Sequence, residues 1–359
     1  MRKLWIVISL LVVLLEPAAS AGQQDTVTSL TPVQVDGVVD HLIAGLSDYV
    51  FPDVAQRIQS ELRAHRSEYR AIGEPSALAA RLTADMRADG HDKHLAVNFG
   101  EELGVRKNPT PEEREKAHAY DAANGYGVRS ARRLPGNIGY IDLAYFSPDP
   151  EAGTQLAAAM QTIGGTDALI IDLRRNGGGS GEAAGALLSY FFEEPVELPS
   201  PVEKKGGETT VRQHWTMAFV AGPRFLARPV YVLTGIHTHS AAELCAYALK
   251  TMHRATIVGE HTSGEATSGT GEIDLGYNFT AFIANGQVIS PITHTNWLST
   301  GVQPDIVTEP GEELLSAYKT ALGSATPAIA SGDLAKDRQT ALADPQAALM
   351  EEIAGFAKE

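Results

Sequence analysis

The sequence is poor in cysteine. Cys245 is the only cysteine among 359 residues, so no disulfide can form within the chain. It falls on the apolar face of a predicted helix, which indicates a buried structural thiol rather than a nucleophile. The fold must therefore be stabilised by a packed core, and a composition of 43% hydrophobic residues is enough to build one.

Positive charge is also scarce. The chain has 29 Lys and Arg residues against 44 Asp and Glu residues, a formal net charge of −15. Such an excess of acid argues against nucleic acid or an anionic membrane as a partner. The acidic residues are spread along the chain, so their excess favours solubility and does not mark a site.

The N-terminal apolar run is too short for a comfortable membrane span. It extends from Leu4 to Leu15, follows the basic pair Arg2-Lys3 and ends before Glu16-Pro17. The small residues Ala19-Ser20-Ala21 then form a typical cleavage site. The pattern predicts a signal peptide over residues 1–21 and export to the periplasm or the medium. A retained anchor is the alternative.

Hydrophobic spacing divides the rest into three regions. Residues 22–133 are predicted to form an N-terminal helical domain and a connector, because apolar side chains recur at helical spacing. Residues 134–310 alternate strands and helices, which predicts an α/β core with a largely parallel or mixed sheet. The segment 272–297 has hairpin character, with Asn285-Gly286 as the predicted turn. Residues 311–359 are predicted to form a C-terminal helical tail, either a helix pair or a partly mobile segment.

Ser240 occupies the point where a buried strand becomes a helix. The strand is predicted over residues 228–234, and a helix begins at Ala241. Unpaired backbone N–H groups and the positive end of the helix dipole converge there, and these donors suit an oxyanion beside the hydroxyl. A serine that simply caps the helix is the alternative.

Two more strand ends are rich in glycine. Asp172-Leu-Arg-Arg-Asn-Gly-Gly-Gly179 follows one predicted strand, and a long loop of small residues, 259–271, follows another. Ligands gather at the carboxyl ends of strands in α/β sheets. A phosphate-binding loop is disfavoured, because the Gly-Lys-Ser/Thr element and the G-x-G-x-x-G spacing are both missing. A plain tight turn and a flexible linker remain as alternatives.

Together these segments resemble the C-terminal processing (tail-specific) peptidase family. The motifs that carry the resemblance occur in the family's order: Gly139-Tyr-Ile, Asp172-Leu-Arg-x-Asn-x-Gly-Gly179, Thr238-His-Ser-Ala-Ala-Glu243, Arg254-Ala-Thr-Ile-Val-Gly-Glu260 and Gly301-Val-Gln-Pro-Asp-Ile306. The match runs from about residue 33 to 310, and the helical unit is similar to one branch, that of interphotoreceptor retinoid-binding protein and its bacterial relatives.

The resemblance implies a crotonase-like or ClpP-like mixed-sheet core with helices, and a serine peptidase that cleaves peptides or proteins without metal or cofactor. Ser240 matches the nucleophile, and the N–H groups of Gly178 and Ala241 match the oxyanion hole. His94 matches the base of the branch that resembles tricorn protease. His237 and His239 are closer in sequence, but neighbours on a tight turn usually point apart.

Two departures from the family pattern put turnover in question. Glu265 stands where processing peptidases carry a lysine base, and Leu298 stands where tricorn-like relatives carry a glutamate that orients the histidine. Glu265 or Asp92 are the candidate substitutes. The alternative function is a catalytically weak or inactive protein that binds an apolar small molecule or a peptide. Residues 100–133 are too short for a PDZ module, and the sequence leaves the oligomeric state open.

Overall fold

The computed structural model describes residues 29–90, 92, 94–100, 110–205, 208–269, 272–329 and 331–356. The predicted signal peptide, residues 1–21, lies outside the described residues. Within them, no helix has the length and apolar character needed to cross a membrane.

The described residues form eleven α-helices and fifteen strands. The helices are α1 (Pro32–Gly45), α2 (Pro52–Ala64), α3 (Arg66–Arg70), α4 (Pro75–Gly90), α5 (Pro111–Ala123), α6 (Ala152–Ile163), α7 (Gly181–Leu188), α8 (Ala241–Thr251), α9 (Glu313–Ser324), α10 (Asp333–Ala343) and α11 (Pro345–Phe356). The strands are β1 (Ala96–Phe99), β2 (Val128–Leu134), β3 (Ile138–Leu143), β4 (Ala168–Asp172), β5 (Glu197–Leu198), β6 (Ser200–Lys205), β7 (Glu208–Val211), β8 (His214–Trp215), β9 (Val230–Thr234), β10 (Thr256–Gly259), β11 (Thr267–Ser268), β12 (Glu272–Gly276), β13 (Phe279–Phe282), β14 (Gly286–Ile289) and β15 (Ile306–Val307).

A six-stranded mixed sheet forms the centre of the molecule. Its order is β15-β10-β9-β4-β3-β2, and only β2 runs antiparallel to its neighbour among these described strands. Strands β3, β4 and β9 are buried along their whole length, which explains their unbroken apolar sequences. Helices α6, α7 and α8 pack on one face, and α9 with the last two helices covers the other.

The C-terminal region is more extensive than a helix pair. It contains three helices, and the first of them buries Ala317, Tyr318 and Ala321 against the central sheet. The prediction of a helix pair is therefore wrong. The alanine-rich sequence makes helix easy to predict, but α9 ends at Ser324 and α10 ends at Ala343, which gives one more element.

The N-terminal helices share their core with a distant hairpin. Helices α1 to α4 pack on the three-stranded sheet β1-β13-β12, and Leu42, Ile58, Leu82 and Phe279 are fully buried between them. Residues 272–284 therefore complete the helical unit although they belong to the second half of the sequence. This packing fixes the position of β1, which begins two residues after His94.

The hairpin turn is at Tyr277 and Asn278, not at Asn285-Gly286 as predicted. Both turn residues have positive φ, 54° and 63°, as a tight two-residue hairpin turn requires. Gly286 instead begins β14, which pairs with β6 in a second, four-stranded sheet of order β11-β14-β6-β7. The Asn-Gly signal was misleading because tertiary pairing, not local turn preference, decides this position.

Candidate active site

Ser240 has a strained backbone at the start of α8. Its φ is 49° and its ψ is −117°, a conformation that non-glycine residues rarely adopt. The strain is held by packing, since a Cβ built on Gly178 would lie 2.8 Å from the Ser240 Cβ and 2.9 Å from the His239 carbonyl oxygen. Gly178 itself has φ +94°. Only glycine lets the β4 loop approach the serine this closely.

The two predicted oxyanion donors differ in their surroundings. Ala241 is the first residue of α8, so its N–H group lies at the positive end of the helix. The same built Cβ on Gly178 lies 3.1 Å from the Ala241 nitrogen, which places both residues beside Ser240. The Gly178 N–H, however, donates to Asn176 Oδ1 at 2.8 Å. That internal bond could not be inferred from the glycine motif.

Glu243 is the central support of the site, and the sequence reasoning gave it no role. It is fully buried on α8. Its carboxylate accepts hydrogen bonds from five donors, which are Thr262 Oγ1 (2.6 Å), Gly264 N (2.7 Å), Glu265 N (2.9 Å), Ser240 N (3.0 Å) and Ser263 Oγ (3.4 Å). Burial raises the pKa of Glu243, and these hydrogen bonds oppose that shift. Its position three residues after Ser240, where a helix accepts a capping-box glutamate, is the signal that identifies it.

The shared carboxylate brings Ser240 and Glu265 together. Both backbone nitrogens donate to Glu243 Oε2, so they lie less than about 6 Å apart. The loop after β10 is thereby fixed against the nucleophile turn. Ser263 N adds a further bond to the Thr238 carbonyl at 3.1 Å.

Glu265 lies between two histidines. Its Oε1 is 2.9 Å from His239 Nδ1, and its Oε2 is 3.8 Å from His94 Nε2. His239 was expected to point away from the site, yet it contacts this carboxylate. These two contacts hold the carboxylate beside the segment between α4 and β1 that carries His94.

The other ring nitrogen of His94, Nδ1, contacts Thr267 and Asp92. Nδ1 is 2.6 Å from Thr267 Oγ1 and 3.4 Å from Asp92 Oδ1, and Thr267 Oγ1 donates to that same Asp92 oxygen at 3.1 Å. Tyr49 donates to Asp92 Oδ2 at 3.1 Å. The sequence pointed to Asp92, but Thr267 comes from β11, 173 residues after His94, and no local pattern marks it.

The pKa values of His94 and Asp92 are shifted in opposite directions. Burial alone would lower the pKa of His94, but Asp92 and the negative charges of Glu265 and Glu243 outweigh it and hold the pKa above 6.5. Burial alone would raise the pKa of Asp92, but its contacts with His94 and Thr267 hold the pKa below 3.8. The pair therefore stabilises the fold fully between pH 3.8 and pH 6.5, the ordinary pKa values of Asp and His. Its contribution is lost as the pH falls through the lowered pKa of Asp92, and also as the pH rises through the raised pKa of His94.

This predicts the titration of His94. In an NMR titration its ring signals should change at a pH above 6.5, and Asp92→Asn should move the midpoint down because the neighbouring charge is removed while burial remains. The matched control is Asp149→Asn, which should lower the pKa of His118, its partner at 2.7 Å, and leave His94 unchanged. A His94 midpoint at or below 6.5 would contradict the assignment.

Ser240 and Glu265 line one open cleft of about 630 Å³. Gly179, Ala241 and Thr267 also line it. A cleft of this size suits a small molecule or a few residues of peptide. A cavity of about 690 Å³ at the amino ends of β9 and β10 is lined by other residues, Lys250 and Arg254 among them, and does not include these groups.

Leu298 is half-buried and packs against the core, so the glutamate position of tricorn-like relatives is filled by an apolar contact. The neighbouring loop nevertheless carries a carboxylate. Trp297 Nε1 donates to the Glu265 carbonyl at 3.0 Å, and Ser299 N donates to the Gly264 carbonyl at 2.8 Å. Glu265 therefore stands beside the backbone of Leu298.

Comparison with known proteins matches two successive regions. Residues 137–308 match Peptidase family S41, and residues 30–124 match the N-terminal domain of this family in eukaryotic IRBP. The chain belongs to peptidase family S41. The predicted resemblance, and the α/β mixed-sheet fold with a helical N-terminal region, are confirmed.

Curated S41 relatives are processing proteases. The carboxy-terminal-processing protease of Bartonella bacilliformis is 32% identical over 200 residues, which cover 53% of this chain and 43% of that protein. The carboxyl-terminal-processing protease of Synechocystis sp. is 34% identical over 132 residues, which cover 36% of this chain and 28% of that protein. The chain thus spans less than half the length of these relatives.

Two solved structures align with more of this chain than these two sequences do. A protein from Parabacteroides merdae, described as a candidate peptidase, aligns with 80% of this chain and 93% of its own, with a TM-score of 0.53 and 18% identity. A lipoprotein from Streptococcus agalactiae aligns with 80% of this chain and 96% of its own, with a TM-score of 0.50 and 17% identity. At these identities the likeness concerns the fold alone.

Proposed function

We propose that this S41 protein is an exported serine-type peptidase that cleaves peptide bonds through an acyl-enzyme on Ser240, with His94 as general base. The observation that carries the proposal is the strained Ser240 turn, packed on Gly178 and tied through Glu243 to the loop of Glu265. A serine that only caps a helix has no need of a positive φ, since ordinary capping residues are extended.

In the proposed reaction Ser240 Oγ attacks the substrate carbonyl carbon, and its proton passes to His94. The oxyanion of the tetrahedral intermediate is stabilised by Ala241 N–H and by Gly178 N–H, which must loosen its bond to Asn176 to contribute. Collapse of the intermediate breaks the C–N bond, and the leaving amine takes the proton from His94. Water then attacks the carbonyl carbon of the acyl-enzyme and gives a proton to His94. The ester C–O bond breaks, the acid product leaves, and Ser240 Oγ takes the proton back from His94.

Glu265 is proposed to take over the role of the missing glutamate. It is the carboxylate near His94 Nε2, so it stabilises the imidazolium that forms when Ser240 loses its proton. Asp92, through its contacts with Nδ1 and Thr267, fixes the ring orientation from the opposite side. The histidine is therefore supported by two acids, neither of which occupies the family's usual position.

Export rests on the N-terminal pattern of Arg2-Lys3, the apolar run and the Ala21 cleavage site.

The lining of the cleft supports a peptide rather than the alternative apolar ligand. Ser180, Glu182, Arg212 and His214 are polar groups that line it together with Ser240. Such groups provide hydrogen-bond partners for a peptide backbone, beside apolar side chains that include Leu244, Val288 and Trp297.

A fluorophosphonate probe tests the proposal directly. The purified protein should be labelled covalently at one site, and Ser240→Ala should abolish the labelling, because the probe reacts only with an activated hydroxyl. The matched control is Ser263→Ala, a serine of the neighbouring loop, which should still be labelled. A folded wild-type protein that stays unlabelled, and that yields a co-purified apolar ligand by mass spectrometry, would support the binding protein instead.

A further inference from the structure

A second groove, apart from the cleft, has a mainly apolar lining. Its volume is about 630 Å³, and it shares no lining residue with the cleft that contains Ser240. We call it the Ile292 groove, and its lining consists of Phe192, Val196, Glu197, Thr251, Met252, His253, Pro291 and Ile292. Ile292 itself is 50% exposed. A groove of this size accommodates several side chains of a partner.

The Ile292 groove and the cleft lie on opposite faces of β8. His214 lines the cleft, and the side chain of Trp215, the next residue of β8, points to the other face because successive side chains of a strand alternate. Trp215 lies directly opposite Glu197 in the pairing of β8 with β5, so both side chains are on one face. Since Glu197 lines the groove, Trp215 stands at its edge.

Three large apolar side chains are exposed on residues 215–219. The exposed fractions are 51% for Trp215, 49% for Met217 and 80% for Phe219. The backbone of this segment is fixed, because Thr216 N donates to the Val196 carbonyl at 3.0 Å and Met217 N donates to Ser189 Oγ at 2.8 Å. Apolar side chains that the fold holds together at the surface are typical of an interaction site.

Acidic side chains border the groove. Glu193 and Glu194 are exposed in the loop between two lining residues, and Glu197 lines the groove itself. Among the described residues, no Lys or Arg nitrogen lies within 4.0 Å of these three carboxylates. Arg224 supplies positive charge nearby, but its guanidinium donates to four backbone carbonyls, those of Ser189, Phe192, Met217 and Ala218. Three carboxylates against one guanidinium leave the border of the groove negative.

This charge decides between the kinds of partner that an apolar surface binds. A second copy of the chain in a two-fold contact would bring the same acids face to face, and like charges across an interface oppose association. An anionic bilayer would be repelled for the same reason. A polypeptide that carries Lys or Arg beside apolar residues complements both the apolar side chains and the acids.

We propose that the Ile292 groove and residues 215–219 bind a segment of another protein in which apolar residues alternate with Lys or Arg. Apolar side chains of the segment enter the groove beside Ile292 and contact Trp215, and its basic side chains pair with Glu193 and Glu194. The docking surface does not depend on the proposed peptidase function, because it lies on the face of β8 away from the cleft.

Fluorescence anisotropy tests this with the full-length Ser240→Ala variant, in which the probe is not consumed by the proposed reaction. The probe is a labelled 12-residue peptide of alternating Leu and Lys, and the comparison peptide has Glu in place of every Lys. We expect the Lys peptide to bind at least about tenfold more tightly at low salt, and the difference to shrink as salt is added. Trp215→Ser with Phe219→Ser should weaken its binding by at least about tenfold, because aromatic side chains dominate such interfaces.

The carboxylates have their own variant. Glu193→Gln with Glu194→Gln should reduce the preference for the Lys peptide and its dependence on salt. Glu309→Gln with Glu312→Gln removes two other exposed acids, so it changes the net charge equally and should keep the full preference. The matched control for the aromatic change is Val307→Ser, since Val307 is 79% exposed on the edge strand β15. Thermal unfolding should show that every variant is folded.

Equal affinity for the two peptides, or an affinity that Trp215→Ser with Phe219→Ser leaves unchanged, would overturn the proposal. So would a dimer in sedimentation that this double variant dissociates, because the surface would then bind a second copy. Vesicles of phosphatidylcholine that bind the wild type but not the double variant would assign the surface to a membrane instead. A protein that binds the Lys peptide as expected but is not labelled at Ser240 would keep the docking surface and lose the peptidase function.

Discussion

His94→Ala is expected to lower kcat/KM for peptide hydrolysis by about 10³-fold, within the range that a positioned general base contributes. The reason is geometric. His94 is held by Thr267 and Asp92 on Nδ1, and its Nε2 is the nitrogen nearest to Glu265, which lines the cleft with Ser240. Without this imidazole, the Ser240 hydroxyl loses the base that is proposed to receive its proton.

The measurement is the second-order rate of fluorophosphonate labelling, together with peptide turnover. His118→Ala is the matched control, because His118 is also paired with a carboxylate, Asp149, but is 54% exposed on α5. It should keep the wild-type rate. A His94→Ala variant that is labelled as fast as the wild type would assign the base elsewhere.

Glu265→Gln separates two routes for the proton. If Glu265 only stabilises the charged His94, the glutamine variant should lose less activity than His94→Ala. If the carboxylate itself relays the proton from Ser240, both variants should lose activity to the same degree. The 3.8 Å separation of Glu265 and His94 favours the first result, because it is longer than a hydrogen bond.

Glu243→Ala is expected to destabilise the protein by about 3–4 kcal/mol. Glu243 is fully buried, so the substitution removes the acceptor of its hydrogen-bond donors where water does not reach them. Each buried donor without a partner costs about 1–3 kcal/mol before the structure relaxes. Because Ser240 N and Glu265 N both depend on this carboxylate, labelling of the folded protein should also slow by at least about tenfold.

Urea denaturation measures the first effect, and labelling well below the unfolding midpoint measures the second. Glu194→Ala, an exposed glutamate, is the control and should change stability by less than about 0.5 kcal/mol. Glu243→Gln should fall between the two, since an amide keeps one acceptor oxygen and loses the other. A Glu243→Ala protein as stable as the wild type would show that the five hydrogen bonds are replaced by water.

Much of the central fold is determined by sequence. The unbroken apolar runs of β3, β4 and β9 predict fully buried strands, and the helical spacing of α1, α6 and α8 predicts their inward faces. The order of motifs predicted the family and the position of Ser240 next to the glycine loop. These features are local, because hydrophobic period and turn chemistry act over a few residues.

The tertiary structure alone decided how the site is completed. His94 contacts Thr267 and Glu265 from more than 170 positions away, and the hairpin after residue 272 packs into the N-terminal helices. Cross-strand pairing also brought Arg212 and Pro201 together in the wall of the cleft. Contacts of this kind depend on how sheets and helices pack over long loops, and single-sequence periodicity carries no information about them. The sequence by itself thus determined which serine stands at the turn between β9 and α8, and the packing decided which acids and histidines complete the site around it.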